Sequence, residues 1–377
     1  MNPTESPLQE IRNASHRRAV SMDVIRCFAL LCVVGEHFFL NSGFYEQIVA
    51  GRNMLILVSL RSFFMVCVPL FLLLSGYLLH QKTPCRSYYK RVFRILGVYL
   101  LSCGACILYR FFFHRDSFSV YRSIRGIFNF YASEYGWYIK MYLGLFLLIP
   151  FLNVLYHHLD SQKQKKVLVL SLLFLTAAPS VLNIWRFHDG GWWTNPASSA
   201  DFDIIVPDWW IRIYPITYYM IGCYLREYPL RLKKKNTLLL SALCFIVAGL
   251  FNFYRSHDTV FVQGIWEDNG SALVLIQSVL VFHFLGSFSY SKISERLAKL
   301  LSYGSKLCMG AYLCSWIFDD LFYPLLNRWE TRMHFRLYYF PLIVPAVFLC
   351  SLGLSAAVNG IYDLLNKLST RKHSSDT

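Results

Sequence analysis

The chain is predicted to be all-α, a polytopic transmembrane bundle of about ten spans with both termini cytoplasmic. Three observations carry that reading. Hydrophobic residues make up 55% of the 377 and charged residues only 16%, whereas an ordinary soluble domain carries about 25% charge. The mean hydropathy is +0.39, and apolar runs long enough for a bilayer recur along the whole sequence. Basic residues are also unevenly shared between alternate loops, with 22 on the side of the N-terminus and nine on the other. That is the positive-inside bias, and it supports an even number of spans.

The runs lie at 20–40, 54–79, 92–113, 137–156, 167–185, 209–225, 237–254, 271–288, 305–323 and 338–362. They form one membrane domain, 19–366, between a polar, disordered cytoplasmic tail at 1–18 and a second cytoplasmic tail at 367–377. The first run follows a polar stretch and lacks a small-residue cleavage site, so it reads as a retained helix. A net charge of +15 would suit nucleic acid. Its concentration in alternate loops instead implies membrane lipids as the partner, no nucleic acid, and a multi-pass protein of the cell inner or plasma membrane.

The first run, SMDVIRCFALLCVVGEHFFL, holds Arg26 and His37. A charge at membrane depth costs roughly 2.5–3.5 kcal/mol on insertion scales and marks a functional candidate. Eleven residues separate the two, which at about 100° each closes three turns to within roughly 20°. Both therefore share one helix face, about 16 Å apart along the axis. Neutral imidazole accepts a proton near neutral pH, as a general base acting on a hydroxyl must. Helix packing is the competing account of a membrane histidine. Glu36 points about 100° away, so it is no obvious partner, while Asp23 stands three residues from Arg26 and can pair with it.

In the second run, Pro69 predicts a kink, and Ser75–Gly76 beyond it leave room for a narrow substrate chain or for close packing. Arg91 and Arg94, at the mouth of the third run, share a helix face. Guanidinium pairs grip phosphate, though a positive-inside anchor accounts for either arginine alone. Cys103 and Cys106 have CxxC spacing beside Gly104 and Ala105, which reads as helix packing rather than a metal or redox site. Between the fifth and sixth runs, a loop at 186–208 carries Trp192, Trp193, Asp201, Asp203 and Asp208. Aromatic rings with carboxylates suit a sugar, but tryptophan also gathers at membrane interfaces without a ligand. His283 reads as a packing residue. Lys306, Asp319 and Asp320 interrupt the ninth run and make it the weakest.

Taken together, these pieces resemble the acyltransferase 3 family of integral-membrane O-acyltransferases. SMDVIRCFALLCVVGEH resembles the family's opening segment, including its basic-residue-x10-His element at Arg26 and His37. VPLFLLLSGYLL resembles its Ser-Gly-Tyr-Leu second span, KRVFRI its Arg-x-x-Arg, and WYIKMYLGLFLLIPFL its fourth span. The resemblance implies transfer of an acyl group, usually acetyl, from cytoplasmic acetyl-CoA to a hydroxyl of an extracytoplasmic polysaccharide or lipid-linked sugar. It makes His37 the catalytic base, with Arg26 as a partner in the site, and Arg91 and Arg94 the holders of the coenzyme A phosphates. No metal is required, because the thiolate leaves readily. GAYLCSW places Ser315 where the family often has histidine, so no second histidine role carries over, and no acidic partner for His37 is identified. A transporter or flippase of a lipid-linked saccharide is the alternative. A glycan polymerase or ligase, with its chemistry in a large outer loop, fits the position of Arg26 and His37 less well.

Overall fold

The computed structural model describes residues 7–115, 119–198 and 201–375. Of the predicted tails, residues 1–6 and 376–377 lie outside the described residues. The chain forms fourteen α-helices among the described residues. In order they are α1 Pro7–Asn41, α2 Gly51–Phe64, α3 Cys67–Leu79, α4 Arg86–Tyr89 and α5 Val92–Tyr109. Next come α6 Val120–Phe128, α7 Trp137–His157, α8 Gln162–Thr176, α9 Pro179–Leu182 and α10 Tyr214–Glu227. The last are α11 Lys234–Ser256, α12 Ala272–Gly286, α13 Glu295–Trp329 and α14 Phe340–Ser375. No strand occurs among the described residues. Two isolated bridges, Ile48 to Val260 and Val49 to His257, tie the loop after α1 to the loop after α11.

A helix stands at each of the ten predicted runs. Five segments are long and apolar enough to cross a membrane: Gly51–Leu79, Arg86–His114, Trp137–His157, Lys234–Ser256 and Met333–Leu368. The others fall short for identifiable reasons. α8, α10 and α12 have 15, 14 and 15 residues, while α1 and α13 have 35 each but carry the ionisable residues described below. Helical backbone also begins at Pro7, inside the stretch expected to be disordered. The membrane character shows on α11, where Leu239, Leu243 and Leu250 remain 67%, 55% and 53% exposed. A stripe of that kind on a water-soluble protein would drive association.

Local chemistry sets the helix ends. Ser161 and Gln164 form a capping box at the start of α8, and Ser271 and Ser294 cap α12 and α13 through their hydroxyls. The second run belongs to one span-length segment, Gly51–Leu79, interrupted once. Pro69 has no N–H to offer the carbonyl of Met65, and the helix breaks at Met65–Val66 before resuming at Cys67.

α1 is the central post, packed against α2, α3, α12, α13 and α14. α13 lies between α1, α5 and α14, and α3 runs against α10. Gly76 and Gly222 set that last approach. A Cβ on Gly76 would collide with the Tyr219 carbonyl, and one on Gly222 with the Leu73 carbonyl. Gly76 therefore serves packing, while neighbouring Ser75 lines a cavity. Cys103 and Cys106 are buried and unbridged, and the Cys106 thiol points to the Leu313 carbonyl at 3.7 Å, in keeping with a packing role. Gly222→Val should destabilise the fold by about 1–3 kcal/mol, read as a lower melting temperature of the purified protein. Ser75→Ala should leave that temperature unchanged.

Candidate active site

Three segments meet around His37. α1 supplies His37 and, one turn later, Asn41. α13 supplies Tyr312, Ser315 and Asp319, whose spacing of three and four residues puts them on one helix face. The turn before α7 supplies Tyr135. Phe130 there adopts φ 62°, and Gly136 is required because a Cβ would strike the Phe130 carbonyl.

His37 is 4% exposed and Asp319 is 1% exposed. Nδ1 of His37 lies 3.2 Å from Oδ2 of Asp319. The Tyr135 hydroxyl donates to the same Asp319 oxygen at 2.8 Å, and its ring stacks on the imidazole with centroids 3.7 Å apart. Asn41 fixes the arrangement by donating to the His37 carbonyl at 2.7 Å and to the Tyr135 oxygen at 3.2 Å. Ser315 Oγ lies 3.5 Å from His37 Nδ1 and donates to the Tyr312 carbonyl at 2.9 Å. The Tyr312 hydroxyl in turn donates to the Tyr135 carbonyl.

This geometry selects a tautomer. With a carboxylate facing Nδ1, that nitrogen carries the proton and Nε2 presents a lone pair. Ser315 shares the Nδ1 side with Asp319, so it is not placed as a nucleophile activated by the other ring nitrogen. A buried carboxylate survives only if its charge is met, and His37 and Tyr135 meet it. Neighbouring Asp320 points elsewhere, accepting from Tyr109 Oη and facing His114 Nε2, each at 2.7 Å.

A cavity of about 320 Å³ runs beside this cluster, between α1, α3, α5, α7 and α13. Arg26, Ser75, Tyr142 and Ser305 face it along its length, and Tyr138 and Tyr312 form part of its wall. The Tyr312 ring stands 6.4 Å from the His37 ring, and His37 itself does not line the cavity. Arg26 does not join His37. Its Nη1 lies 2.5 Å from Ser305 Oγ and 3.5 Å from Asp23, which places it in the cavity wall. A second cavity of about 280 Å³ is lined by Arg91, Arg94, Lys306 and Asn359, and shares Ile95, Lys306 and Met309 with the first. Arg94 also faces Asp363 at 3.7 Å and lies over the Tyr362 ring.

In the loop at 186–208, several of the rings and one of the acids have partners within the protein. Trp192 is 1% exposed and, with Phe202 and Trp266, boxes the guanidinium of Arg255. Trp193 stacks on Trp185. Asp203 is engaged by the Phe187 amide at 2.8 Å and by His188 at 3.0 Å. The Trp192 and Phe202 rings thus pin the loop onto α11 through Arg255, and Asp203 is used within the loop. His283 packs as expected, against the Leu232 carbonyl at 3.2 Å.

Asp319, Tyr135, Ser315 and Lys306 take part in the arrangement and were not assigned roles from sequence. For Asp319 a signal existed, since an acid interrupting an apolar run is costly without a partner. Tyr135 gave none, being one of 25 tyrosines. Arg61 was missed as well. It forms a buried ion pair with Glu267 and donates to Tyr45 Oη at 3.1 Å, clamping α2 to the segment before α12.

A family model described as an acyltransferase domain matches residues 20–358. No curated protein and no solved structure matches.

If Asp319 holds the Nδ1 proton, nitrogen-15 spectra of the labelled protein should report the Nδ1–H form of His37. In Asp319→Asn that preference should weaken. A dominant Nε2–H form in the unmodified protein would contradict the arrangement.

Proposed function

Since the chain belongs to the acyltransferase 3 family, and is thus a membrane acyltransferase, we propose that it moves an acyl group, acetyl in size, from cytoplasmic acyl-CoA to a hydroxyl of an extracytoplasmic polysaccharide or lipid-linked sugar. The observation that carries the reading is the buried His37–Asp319 pair next to Tyr312, a wall residue of the 320 Å³ cavity, whose lining overlaps that of the cavity of Arg91 and Arg94. On this reading ten helices cross the membrane with both termini cytoplasmic, consistent with the 22 to nine distribution of basic residues.

The reaction follows from the roles of the groups. Arg91 and Arg94 hold the phosphates of the donor at the cytoplasmic mouth. The pantetheine arm extends through the apolar cavity past Arg26, which serves the donor path rather than the proton transfer. Nε2 of His37 takes the proton of the acceptor hydroxyl as its oxygen bonds to the thioester carbonyl. Asp319 stabilises the imidazolium formed at that moment. Collapse of the tetrahedral intermediate breaks the C–S bond, and the imidazolium returns its proton to the departing thiolate. The products are ester and free coenzyme A. Movement of Tyr312 gives the thioester access to His37.

His37→Gln should abolish transfer in a reconstituted membrane assay while the protein still inserts. Asp319→Asn should lower kcat by about 10³–10⁴, on the scale seen when a histidine loses its orienting acid, with little change in KM. Full activity of either variant would reject the base assignment. Arg91→Ala with Arg94→Ala should instead raise KM for acyl-CoA, at nearly constant kcat when donor is saturating.

A further inference from the structure

Lys306 occupies a position that the preceding mechanism does not use. It follows Ser305, the residue that holds Arg26, and it lines both the 280 Å³ cavity of Arg91 and Arg94 and the 320 Å³ cavity of Arg26. Ile95 and Met309, the other shared residues, are apolar, so Lys306 is the charged group at the neck. Its side chain is exposed, and among the described residues it forms no ion pair. By contrast, Arg94 is partly engaged by Asp363 and the Tyr362 ring. Arg91, Arg94 and Lys306 thus line the smaller cavity, and Lys306 and Arg26 the larger, while Asp363 faces Arg94 and Asp23 faces Arg26.

Snorkelling accounts for a lysine bordering lipid, but it gives no reason for an ammonium where a charged mouth narrows into an apolar shaft. An elongated ligand with phosphates at one end and a chain at the other matches this sequence of surfaces. In such a ligand the diphosphate lies between the chain and the outer nucleotide phosphate. Resting on the donor-site reading above, we propose that Lys306 is a third phosphate contact, meeting the diphosphate of coenzyme A at the neck, while Arg91 and Arg94 meet the outer phosphate. It is a binding residue and takes no part in proton transfer. A lysine suits a diphosphate that must slide into place, because its ammonium acts as a mobile point charge rather than a fixed fork.

The test is equilibrium binding to the full chain in detergent, with coenzyme A, dephospho-coenzyme A and S-acetylpantetheine as probes. Lys306→Gln should weaken coenzyme A and dephospho-coenzyme A alike, by roughly tenfold, and leave S-acetylpantetheine unaffected. Lys306→Arg should restore most of the loss. Matched gel-filtration profiles show that the variants fold. If Lys306→Gln weakens coenzyme A but not dephospho-coenzyme A, the contact is to the outer phosphate and the assignment is wrong. Should Arg91→Ala with Arg94→Ala lose affinity while Lys306→Gln keeps it, Lys306 is a spectator and the donor site stands. Unchanged affinity in both variants would remove the donor site itself, and this inference with it.

Discussion

The contact between His37 and Asp319 joins α1 and α13, each 35 residues long, at a place where apolar packing alone cannot hold them. Each group is costly in a membrane by itself. Removing the His37 partner would leave the Asp319 charge without compensation, a loss that typically costs about 3–5 kcal/mol for a buried charge. α1 and α13 must therefore keep their register for either to be tolerated. Asn41 and Tyr135 strengthen this constraint, because they bond both to the pair and to the backbone that carries it. The contacts to the Asp319 carboxylate all go to Oδ2, while Oδ1 is buried without a partner among the described residues, so the network fixes the arrangement through one oxygen.

The rest of the bundle is arranged around that constraint. Gly76 and Gly222 let α3 and α10 approach closely, and the helix is interrupted at Met65–Val66 between α2 and α3. Phe38, Phe44, Tyr323 and Phe340 pack the end of the bundle beyond His37, so that end is filled. The opposite half of α1 is bordered instead by an apolar cavity. This asymmetry leaves the imidazole buried in the packed half, next to Tyr312 of the cavity wall. Arg61 with Glu267 fastens the loop region beyond it, as the aromatic box around Arg255 fastens the 186–208 segment.

The proposed chemistry needs little from the protein beyond this placement. Coenzyme A brings a good leaving group, so the protein has to supply a proton acceptor of fixed tautomer, a path of the right polarity and exclusion of water. Tyr312 is suited to the last task, since it lines the cavity next to His37 while tethered to the Tyr135 carbonyl. The step from cationic mouth to apolar shaft provides the path.

Composition and periodicity determined the all-helical class, the approximate places of the ten apolar helical segments and the shared face of Arg26 and His37, because apolar length and a fixed angular step are local properties of a chain. The same locality made His37 and the pair Arg91 and Arg94 visible as candidates, since charge at such positions is conspicuous against an apolar background. Partnership was not visible. Asp319 lies 282 positions from His37 and Tyr135 lies 98, and nothing local distinguishes Asp319 from Asp320, although the two carboxylates point to different helices. The expected partnership of Arg26 with His37 dissolved for the same reason. A common face aligns two residues, but the length of helix between them keeps them apart, and only the packing of α13 decided that one meets Ser305 and the other Asp319.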